Sequence, residues 1–304
     1  MEAGTLSILL FLTLLGLLAS GIWVAPALLA VGFIGIDFFT DAPVGSLLAS
    51  TVWDASWNWA LTALPLFVWM GEILFRTRLS SDMFNGLAPW LVRLPGGLLH
   101  VNIIGCGVMA AVAGSSAVTC ATVGRMSIPE LRKRGYDEML SIGTLAGSGT
   151  LGLLIPPSIM LIVYGVLAQQ SISRLFIAGV FPGILIIGIF MSYVAIRALL
   201  DPKLAPVEES SSNFLEKLKA SRHLIPVVGL IFSVIGSIYG GYATPTEAAT
   251  VGVIGALILA WLSKSLSWES FLESLMGGVK TSCMITFILV GAAFLSTAMG
   301  FTGA

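Results

Sequence analysis

The sequence predicts an all-α polytopic membrane protein. Of its 304 residues, 57% are hydrophobic and only 10% are charged, a composition outside the range of soluble domains. Two breaks rich in Gly, Ser and Thr interrupt the apolar sequence between residues 98 and 169, and the chain resembles itself after a shift of 220 residues. These observations add a re-entrant helical hairpin, a broken transmembrane helix and an inverted repeat to the predicted fold.

The apolar runs predict the spanning segments in order. The first two are separated by a turn at Ser20 and Gly21, with one bent long helix as the alternative, and Trp53, Trp57 and Trp59 form an aromatic belt at the start of the third. The segments are Leu6–Ala19, Val24–Phe39, Trp53–Phe75, Leu140–Leu167 (broken at Pro156), Leu175–Leu200, Leu224–Ile238, Thr246–Leu262 and a last one from near Thr281.

The first break lies between two half-length apolar arms, Val101–Ala113 and Ala117–Ser127. Each arm is about half of the ~20 residues that a spanning helix needs. The arms and the intervening Gly114–Ser116 predict a re-entrant hairpin, whose basic end at Arg132–Arg134 returns to the side where the hairpin began. A small-residue packing patch is the alternative for Gly114–Ser116.

The second break lies inside a spanning segment, at Gly147–Thr150 and Leu154–Ser158. Proline removes a backbone donor, and Pro157 pushes Pro156 out of the helical region. A proline kink without function is the alternative. Irregular backbone at membrane depth survives only when it is buried in protein or lines a wet cavity, so two such breaks close together predict an ion and substrate site.

Charge fixes the predicted orientation. All Lys and Arg residues except Arg125 and Arg174 fall on one side of the predicted segments, which is the cytoplasmic side by the positive-inside rule. The N-terminus is therefore predicted outside, the polar loop 201–222 is cytoplasmic, and Ser81–Arg93 is an interfacial amphipathic arm. The first apolar run lacks a basic leader, so no cleavable signal peptide is expected.

The internal repeat pairs residues 220 apart. Gly21 matches Gly241, and further matches without a gap pair Val31, Gly32, Ile34, Gly35, Phe67, Gly71 and Thr77 with Val251, Gly252, Ile254, Gly255, Phe287, Gly291 and Thr297. Five crossings per copy would invert the second copy, which is the architecture of alternating-access carriers. The predicted domains are scaffold helices and arm (1–97), a transport region of hairpin, broken helix and following helix (98–200), the loop (201–222) and the start of the second repeat (223–304).

Several motifs together resemble one family. The sequence is similar to the large membrane subunit of tripartite ATP-independent periplasmic (TRAP) transporters at Gly114–Ser116, Ile128–Leu131, Arg134–Asp137, Gly152–Ser158, Tyr164–Val166, Leu175–Gly179 and Ala243–Ala249. The resemblance implies a bacterial inner-membrane secondary carrier that takes up carboxylate-bearing solutes with sodium by an elevator motion. It implies two partners, a small four-helix membrane subunit and a periplasmic solute-binding protein. It also implies a second hairpin, expected beyond residue 304 in a longer chain.

The candidate sodium ligands lie at the two breaks, because carbonyl and hydroxyl oxygens suit a hard cation and the resemblance implies a sodium site there. They are Gly114, Ser115, Ser116, Gly149, Thr150, Pro156, Pro157 and Ser158, with Ser115 foremost. Ser116 and Arg125 are the candidate substrate contacts, since a guanidinium can grip a carboxylate with two hydrogen bonds. The alternative for Arg125 is a side chain that reaches the inner interface.

Several other charged, aromatic and cysteine residues are expected to have structural roles. Glu72 is expected to pair with Arg76 on one helix face, and Glu247 to cap a helix start. His100 and His223 are expected near the inner interface. The aromatic run Trp53–Trp69 is expected to anchor the chain or to pack against the small subunit, and Cys106, Cys120 and Cys283 are expected to be packing residues.

Competing functions remain open at this stage. An intramembrane enzyme would need paired acids, a serine near His or Lys, or a metal-binding helix motif, and the sequence has none of these, so no enzyme, organic cofactor or nucleic-acid partner is predicted. A channel and a binding-protein-independent sodium/carboxylate symporter are the alternatives. The outer loops around Asp37–Trp53 and Gln169–Arg174 are predicted to dock the binding protein.

Overall fold

The architecture comes from a computed structural model that describes residues 3–77, 86–206, 221–222 and 224–303. Within this part the chain is helical and has no strand; residues 86–91 are also helical. The helices are α1 (Ala3–Ala19), α2 (Val24–Phe39), α3 (Val44–Ser56), α4 (Ala63–Arg76), α5 (Leu99–Ala113), α6 (Ser116–Lys133), α7 (Glu138–Gly149), α8 (Ile159–Leu167), α9 (Ile172–Leu200), α10 (Ile225–Tyr239), α11 (Pro245–Leu262) and α12 (Trp268–Thr302).

Among the described residues, four helical stretches are long and apolar enough to cross a membrane. They are Trp59–Arg76, Ile172–Leu200, Pro245–Leu262 and Trp268–Thr302. Shorter apolar helices occupy Gly4–Ala19, Val24–Phe39, Leu99–Ala113 and Ile225–Tyr239. The all-helical prediction is therefore confirmed for the described residues.

The third predicted segment differs from the structure at its start. A separate helix, α3, ends at Ser56, and the membrane-length stretch begins at Trp59 with a 3-10 turn instead of at Trp53. Trp57 leaves the helical region with φ −98° and ψ 71°. The sequence prediction joined these elements because the aromatic run continues across a helix end that hydropathy does not detect.

The last predicted segment also begins earlier than expected. α12 starts at Trp268, ahead of the predicted start near Thr281. Its polar first turns remain helical because their side chains find partners: Glu273 forms an ion pair with Arg76, and the indole N–H of Trp69 donates to Ser274 Oγ at 3.3 Å. The hydropathy pattern predicts that the helix starts where the charged residues end, whereas the helix also includes the charged residues that precede this point.

Some predictions fall wholly or partly outside the described residues. These are Arg78, the first part of the arm Ser81–Arg93, residues 207–220 of the predicted cytoplasmic loop, and His223. The described chain divides into two compact units, residues 1–59 with 280–304, and residues 60–279. The domains predicted from the sequence were defined by the internal repeat and not by compactness. That predicted division stays a prediction.

In the unit of residues 60–279, the hairpin helices pack closely together. α5 and α6 lie side by side and both contact α7, while α9 packs against α5 and α8. Small residues allow this close approach: a Cβ on Gly107 would meet Ile187 at 2.8 Å, and one on Gly183 would meet Ile155 at 2.8 Å. The packing holds the two predicted breaks within one compact body.

The Arg134–Asp137 motif ties the start of the hairpin to α7. The backbone N–H of Leu98 donates to the Tyr136 hydroxyl at 3.2 Å, and the Asp137 carboxylate accepts the N–H of Leu140 at 2.7 Å as the α7 N-cap. The Asp137 N–H donates to the carbonyl of Leu204 at 3.0 Å. This short motif therefore anchors three elements at one end of the unit.

Residues paired by the predicted repeat have similar local geometry at two places. α1 and α10 end at Ala19 and Tyr239, and the glycines two residues later, Gly21 and Gly241, both have left-handed φ, +83° and +72°. Equivalent helices use equivalent glycines for packing. A Cβ on Gly32 of α2 would meet Phe294 of α12 at 2.8 Å. α11, the counterpart of α2, packs in its own unit against α4. α2 therefore packs against α12, and α11 packs against α4, which is the predicted repeat counterpart of α12.

Candidate functional site

The hairpin tip is a two-residue connection between α5 and α6. Gly114 adopts left-handed φ +58°, and its N–H donates to the carbonyl of Ala110 at 3.0 Å, which closes the last turn of α5. Ser115 is extended, with φ −131° and ψ 127°, and α6 begins at Ser116. A residue with a side chain rarely adopts the Gly114 conformation, so glycine is required here for the reversal.

The second break extends from Thr150 to Ser158, wider than the proline pair alone. α7 ends at Gly149, a 3-10 turn covers Thr150–Leu153, and α8 begins at Ile159. The Ser158 side chain is fully buried, and its hydroxyl donates to the Leu153 carbonyl at 2.6 Å. One internal hydrogen bond thus replaces part of the lost helix ladder and holds the irregular backbone in shape.

The two breaks contact each other backbone to backbone. The N–H of Ile159 donates to the carbonyl of Gly114 at 3.2 Å. A Cβ on Gly114 would lie 2.7 Å from the Pro157 carbonyl oxygen, and a Cβ on Gly152 would lie 2.7 Å from the carbonyl carbon of Ser115. Glycine on each side is what permits this approach, because any larger residue would separate the tip from the break.

Four helix ends meet where the breaks touch. α5 and α7 end there with their carbonyl termini, and α6 and α8 begin there with their amide termini. Helix N-termini carry partial positive charge and C-termini partial negative charge. The arrangement therefore offers amide groups to an anion and carbonyl groups to a cation within the same small region.

A buried polar cluster supports the site from beneath. Asn102 on α5 donates from Nδ2 to the Ser141 carbonyl at 3.3 Å and to Thr144 Oγ1 at 3.2 Å, both on α7. Ser148, one turn further along α7, donates to the Thr144 carbonyl at 2.6 Å. These side chains are almost completely buried, so the hydrogen bonds fix the register of the hairpin arm against the broken helix.

The structure brings most of the predicted ligand residues together, with one partial exception. Gly114, Pro157 and Ser158 are buried at the contact, and Gly149 packs against Cys120, where a Cβ would lie 3.0 Å from the cysteine Cβ. Thr150 is exposed, and its hydroxyl donates to the Gly147 carbonyl of its own helix at 2.6 Å. Its side chain therefore faces away from the contact.

Arg125 lies away from the tip. It is nine residues from Ser116 on α6, which is about 13 Å along a helix axis. Its guanidinium stacks over Phe75, with the Cζ atom 4.9 Å from the ring centroid. Arg125 also lines a cavity of about 490 Å³ with Arg76, Glu269 and Glu273. This charged setting favours the interfacial alternative for Arg125 over substrate contact.

The structural expectations for other residues have mixed outcomes. Glu72 pairs with Arg76 at 3.4 Å, as predicted. Glu247 forms a capping box with Thr244: each residue's side chain accepts the other's backbone N–H, at 2.8 Å into the Glu247 carboxylate and 3.4 Å into the Thr244 hydroxyl. His100 is buried, with Nε2 2.6 Å from the Pro95 carbonyl oxygen, and its position near the inner interface stays a prediction.

The three cysteines differ in exposure, and the tryptophan belt is exposed. Cys106 is buried and Cys120 half-buried, whereas Cys283 is exposed, so packing against the described chain does not hold for Cys283. Trp53 and Trp57 stack with their ring centroids 6.0 Å apart, and both are exposed. Exposed stacked indoles suit the anchoring role that the sequence predicts.

A separate cavity lies elsewhere in the described part of the chain. About 540 Å³ in volume, it runs along α7 and α9 and is lined mainly by apolar side chains, with Asp137 and Arg197 at its charged positions. It contains none of the tip residues. Its lining resembles a lipid-facing groove more than the polar setting that an ion needs, so the site rests on the contact between the breaks.

Sequence reasoning missed Gly152 and the polar support as site residues. Gly152 was recognised only as part of a motif, although its contact with Ser115 and Ser116 is among the closest at the site. Asn102 carried a detectable signal, since it is a lone amide within the apolar arm that begins the hairpin. No local signal identified Gly152, because its partner lies 37 residues away along the chain.

The all-helical architecture with several apolar helices, four of them of membrane length in the described residues, is consistent with a helical membrane transporter. Residues 11–304 match the family model of the tripartite ATP-independent periplasmic transporter DctM component. The chain belongs to this family. Its members are the large components of TRAP transporters and are integral membrane proteins.

Curated relatives agree with the family match. The chain is 32% identical over 288 residues to the ectoine/5-hydroxyectoine TRAP transporter large permease of Ruegeria pomeroyi, covering 93% of this chain and 66% of that protein. It is 32% identical to the C4-dicarboxylate TRAP transporter large permease of Vibrio cholerae, covering 83% of this chain and 55% of the relative.

A third relative is the 2,3-diketo-L-gulonate TRAP transporter large permease of Escherichia coli K12. It is 30% identical, with 94% of this chain and 67% of the relative covered. The chain thus spans about half to two thirds of the length of these relatives. All three are named as permeases of transporters, which agrees with the expectation that the chain is not an enzyme.

Proposed function

We propose that the protein is the large permease subunit of a sodium-coupled TRAP transporter that takes up a carboxylate-bearing solute across the bacterial inner membrane. The observation that carries the proposal is the backbone contact between the hairpin tip and the broken helix, with Ile159 N–H bonded to Gly114 C=O. Family membership supports the same function. The proposed substrates are C4-dicarboxylates, sialic acids or similar sugar and keto acids, and relatives named for C4-dicarboxylate and 2,3-diketo-L-gulonate support the first and last of these classes.

The dipoles of the four helix ends divide the site between two ligands. The substrate carboxylate would meet the amide terminus of α6 at Ser116, and sodium would meet carbonyl oxygens released where α5 and α7 end. The proposed sodium ligands are Gly114, Ser115, Ser116, Gly149, Thr150, Pro156, Pro157 and Ser158. For Thr150 only the carbonyl fits this role, because its hydroxyl is used within its own helix.

The transport step is proposed to be an elevator motion. Hairpin, broken helix and α9 are bound together by the Asn102 cluster and by close glycine packing, which supports their movement as one rigid body. Coupling follows if sodium is needed to hold tip and break together, because only then would the carboxylate find its amide groups in place.

The proposed partners are a small four-helix membrane subunit and a periplasmic solute-binding protein. The N-terminus is proposed to be periplasmic, from the distribution of Lys and Arg. The exposed tryptophans near residues 53–59 are the proposed contact for the bilayer or the small subunit.

The test is uptake into proteoliposomes by the complete permease with its partners. Candidate carboxylates are supplied with and without a sodium gradient, and with and without the binding protein. We expect uptake to require both, and Ser115→Ala to weaken it. Sodium-driven uptake without the binding protein would instead indicate an independent symporter, and uptake that never exceeds equilibrium would indicate a channel.

A further inference from the structure

Thr119 is a buried threonine without a hydrogen-bond partner for its side chain. It lies on α6, one turn after Ser115, and has 0% of its surface exposed. Its hydroxyl oxygen makes no hydrogen bond to any of the described residues. A buried hydroxyl normally finds a partner, because leaving it unpaired loses the hydrogen bonds that it made to water.

The neighbouring Thr122 shows what a helical threonine ordinarily does. It is also buried, and its hydroxyl donates to the Val118 carbonyl four residues earlier at 2.7 Å. The corresponding acceptor for Thr119 is the Ser115 carbonyl, which accepts the Thr119 backbone N–H at 3.0 Å. The Thr119 hydroxyl does not take this local option, although it lies within the same turn.

The position of Thr119 connects this hydroxyl to the contact between the breaks. Thr119 belongs to the buried face of α6, together with Thr122, Val123 and Ser127, and α6 contacts both α7 and the 3-10 turn Thr150–Leu153. Gly152 in that turn lies against the backbone of Ser115, where its Cβ would be 2.8 Å from the carbonyl oxygen. Thr119 is therefore about one helical turn, ~5.4 Å along the α6 axis, from Ser115, whose backbone forms the contact with the break.

We propose that the Thr119 hydroxyl oxygen is a ligand of a sodium ion held between the hairpin tip and the broken helix. The inference rests on the proposed sodium coupling and adds Thr119 to the sodium ligands proposed above. A hydroxyl can give a lone pair to a cation without losing its proton, so the ion would satisfy an oxygen that the fold leaves unpaired.

The test is the thermal unfolding of the complete permease in detergent, titrated with sodium chloride against choline chloride at constant ionic strength. Sodium should raise the unfolding midpoint of the unaltered protein, because it binds only the folded state. Thr119→Val should raise the half-saturating sodium concentration about tenfold or more. In choline the same variant should unfold at the same temperature or higher, because it removes an unpaired buried hydroxyl. Thr119→Ser keeps the oxygen and should keep the sodium response.

Two control variants match Thr119→Val in chemistry. Thr122→Val breaks an existing hydrogen bond and should lower the midpoint equally in both salts. Ser127→Ala removes another buried unpaired hydroxyl, two turns further along α6, and should leave the sodium response unchanged. If Thr119→Val does not fold, Thr119→Ala removes the same oxygen and takes its place.

The outcomes separate the two proposals. A full sodium response in Thr119→Val would overturn the assignment of Thr119 and leave sodium coupling intact, with a buried water as the partner of the hydroxyl. No sodium response in the unaltered protein would overturn sodium coupling and the Thr119 ligand together.

Discussion

The backbone N–H of Ile159 donates a hydrogen bond to the carbonyl of Gly114 at 3.2 Å, across 45 residues of sequence. Ile159 is the first residue of α8, and its N–H would otherwise lack an intrahelical partner. Gly114 is the turning residue of the hairpin. The hydrogen bond thus pairs a free amide at the broken helix with a carbonyl at the hairpin tip. Each break therefore helps to hold the backbone of the other in place.

Gly152→Ala should disrupt this arrangement. The new methyl group would lie under 3 Å from the carbonyl carbon and oxygen of Ser115 and the nitrogen of Ser116, all backbone atoms that cannot rotate away. We expect a loss of about 1–3 kcal/mol in stability and a severe loss of uptake, measured by thermal unfolding and by proteoliposome transport. Gly143→Ala is the matched control, since nothing lies within 4 Å of its Cβ and alanine favours the helix. Equal effects of the two variants would contradict the contact.

Gly114→Ala tests the tip conformation. Alanine pays about 1–2 kcal/mol for a left-handed backbone, and at this position its methyl group would also meet the Pro157 carbonyl oxygen at 2.7 Å. Gly21→Ala carries the conformational cost alone, because Gly21 has φ +83° and open space around it. We therefore expect the unfolding midpoint to fall further for Gly114→Ala than for Gly21→Ala. The opposite order would show that the tip is not held against the break.

The capping box at the start of α11 makes a prediction about Glu247. Thr244→Ala should cost about 1 kcal/mol, because it removes the side-chain acceptor for the Glu247 N–H, whereas Thr244→Ser should be nearly neutral. Glu247→Gln retains the reciprocal hydrogen bond and should retain sodium-driven uptake. Loss of uptake in Glu247→Gln with an unchanged unfolding midpoint would instead assign this acid to coupling.

The outer acids Asp41 and Asp54 test the predicted docking of the binding protein. Both are exposed. Because peripheral charges chiefly change association rates and their salt dependence, Asp41→Lys with Asp54→Lys should raise the binding-protein concentration needed for half-maximal uptake. Glu269→Lys, an exposed acid on the predicted cytoplasmic side, is the control and should leave that concentration unchanged. Undiminished uptake at limiting binding protein in the double variant would count against the docking surface.

Much of the secondary structure was predictable because its signals are local. The second segment, Val24–Phe39, has the predicted bounds, and the hairpin arms were placed to within a few residues except at the end of α6. The errors occurred where hydropathy and helix geometry diverge. Trp53 belongs to a separate helix that ends before Trp57, and the polar start of α12 is helical because distant residues such as Arg76 pair with it.

The site was predictable as two breaks but not as a contact. Gly114–Ser116 and Pro156–Ser158 stood out because Gly, Ser and Pro are costly within apolar helices. Arg125 stood out for its charge, yet it lies beside Phe75 and Arg76 at a distance from the tip. Charge at membrane depth identifies a residue that needs a partner and does not say which partner it finds.

The sequence by itself determined the class of protein, the helices, the reversal at Gly114 and the interruption at Pro156 and Pro157, because hydrophobic length, glycine conformation and the missing proline N–H act within a few residues. Only the tertiary structure decided that Gly152 lies against Ser115 and that Ile159 bonds to Gly114. It also decided that Thr119 is buried without a hydrogen-bond partner. Those relationships depend on how helices far apart in sequence pack together. Differences of a few tenths of an ångström in packing distance leave no periodic or compositional pattern in the chain.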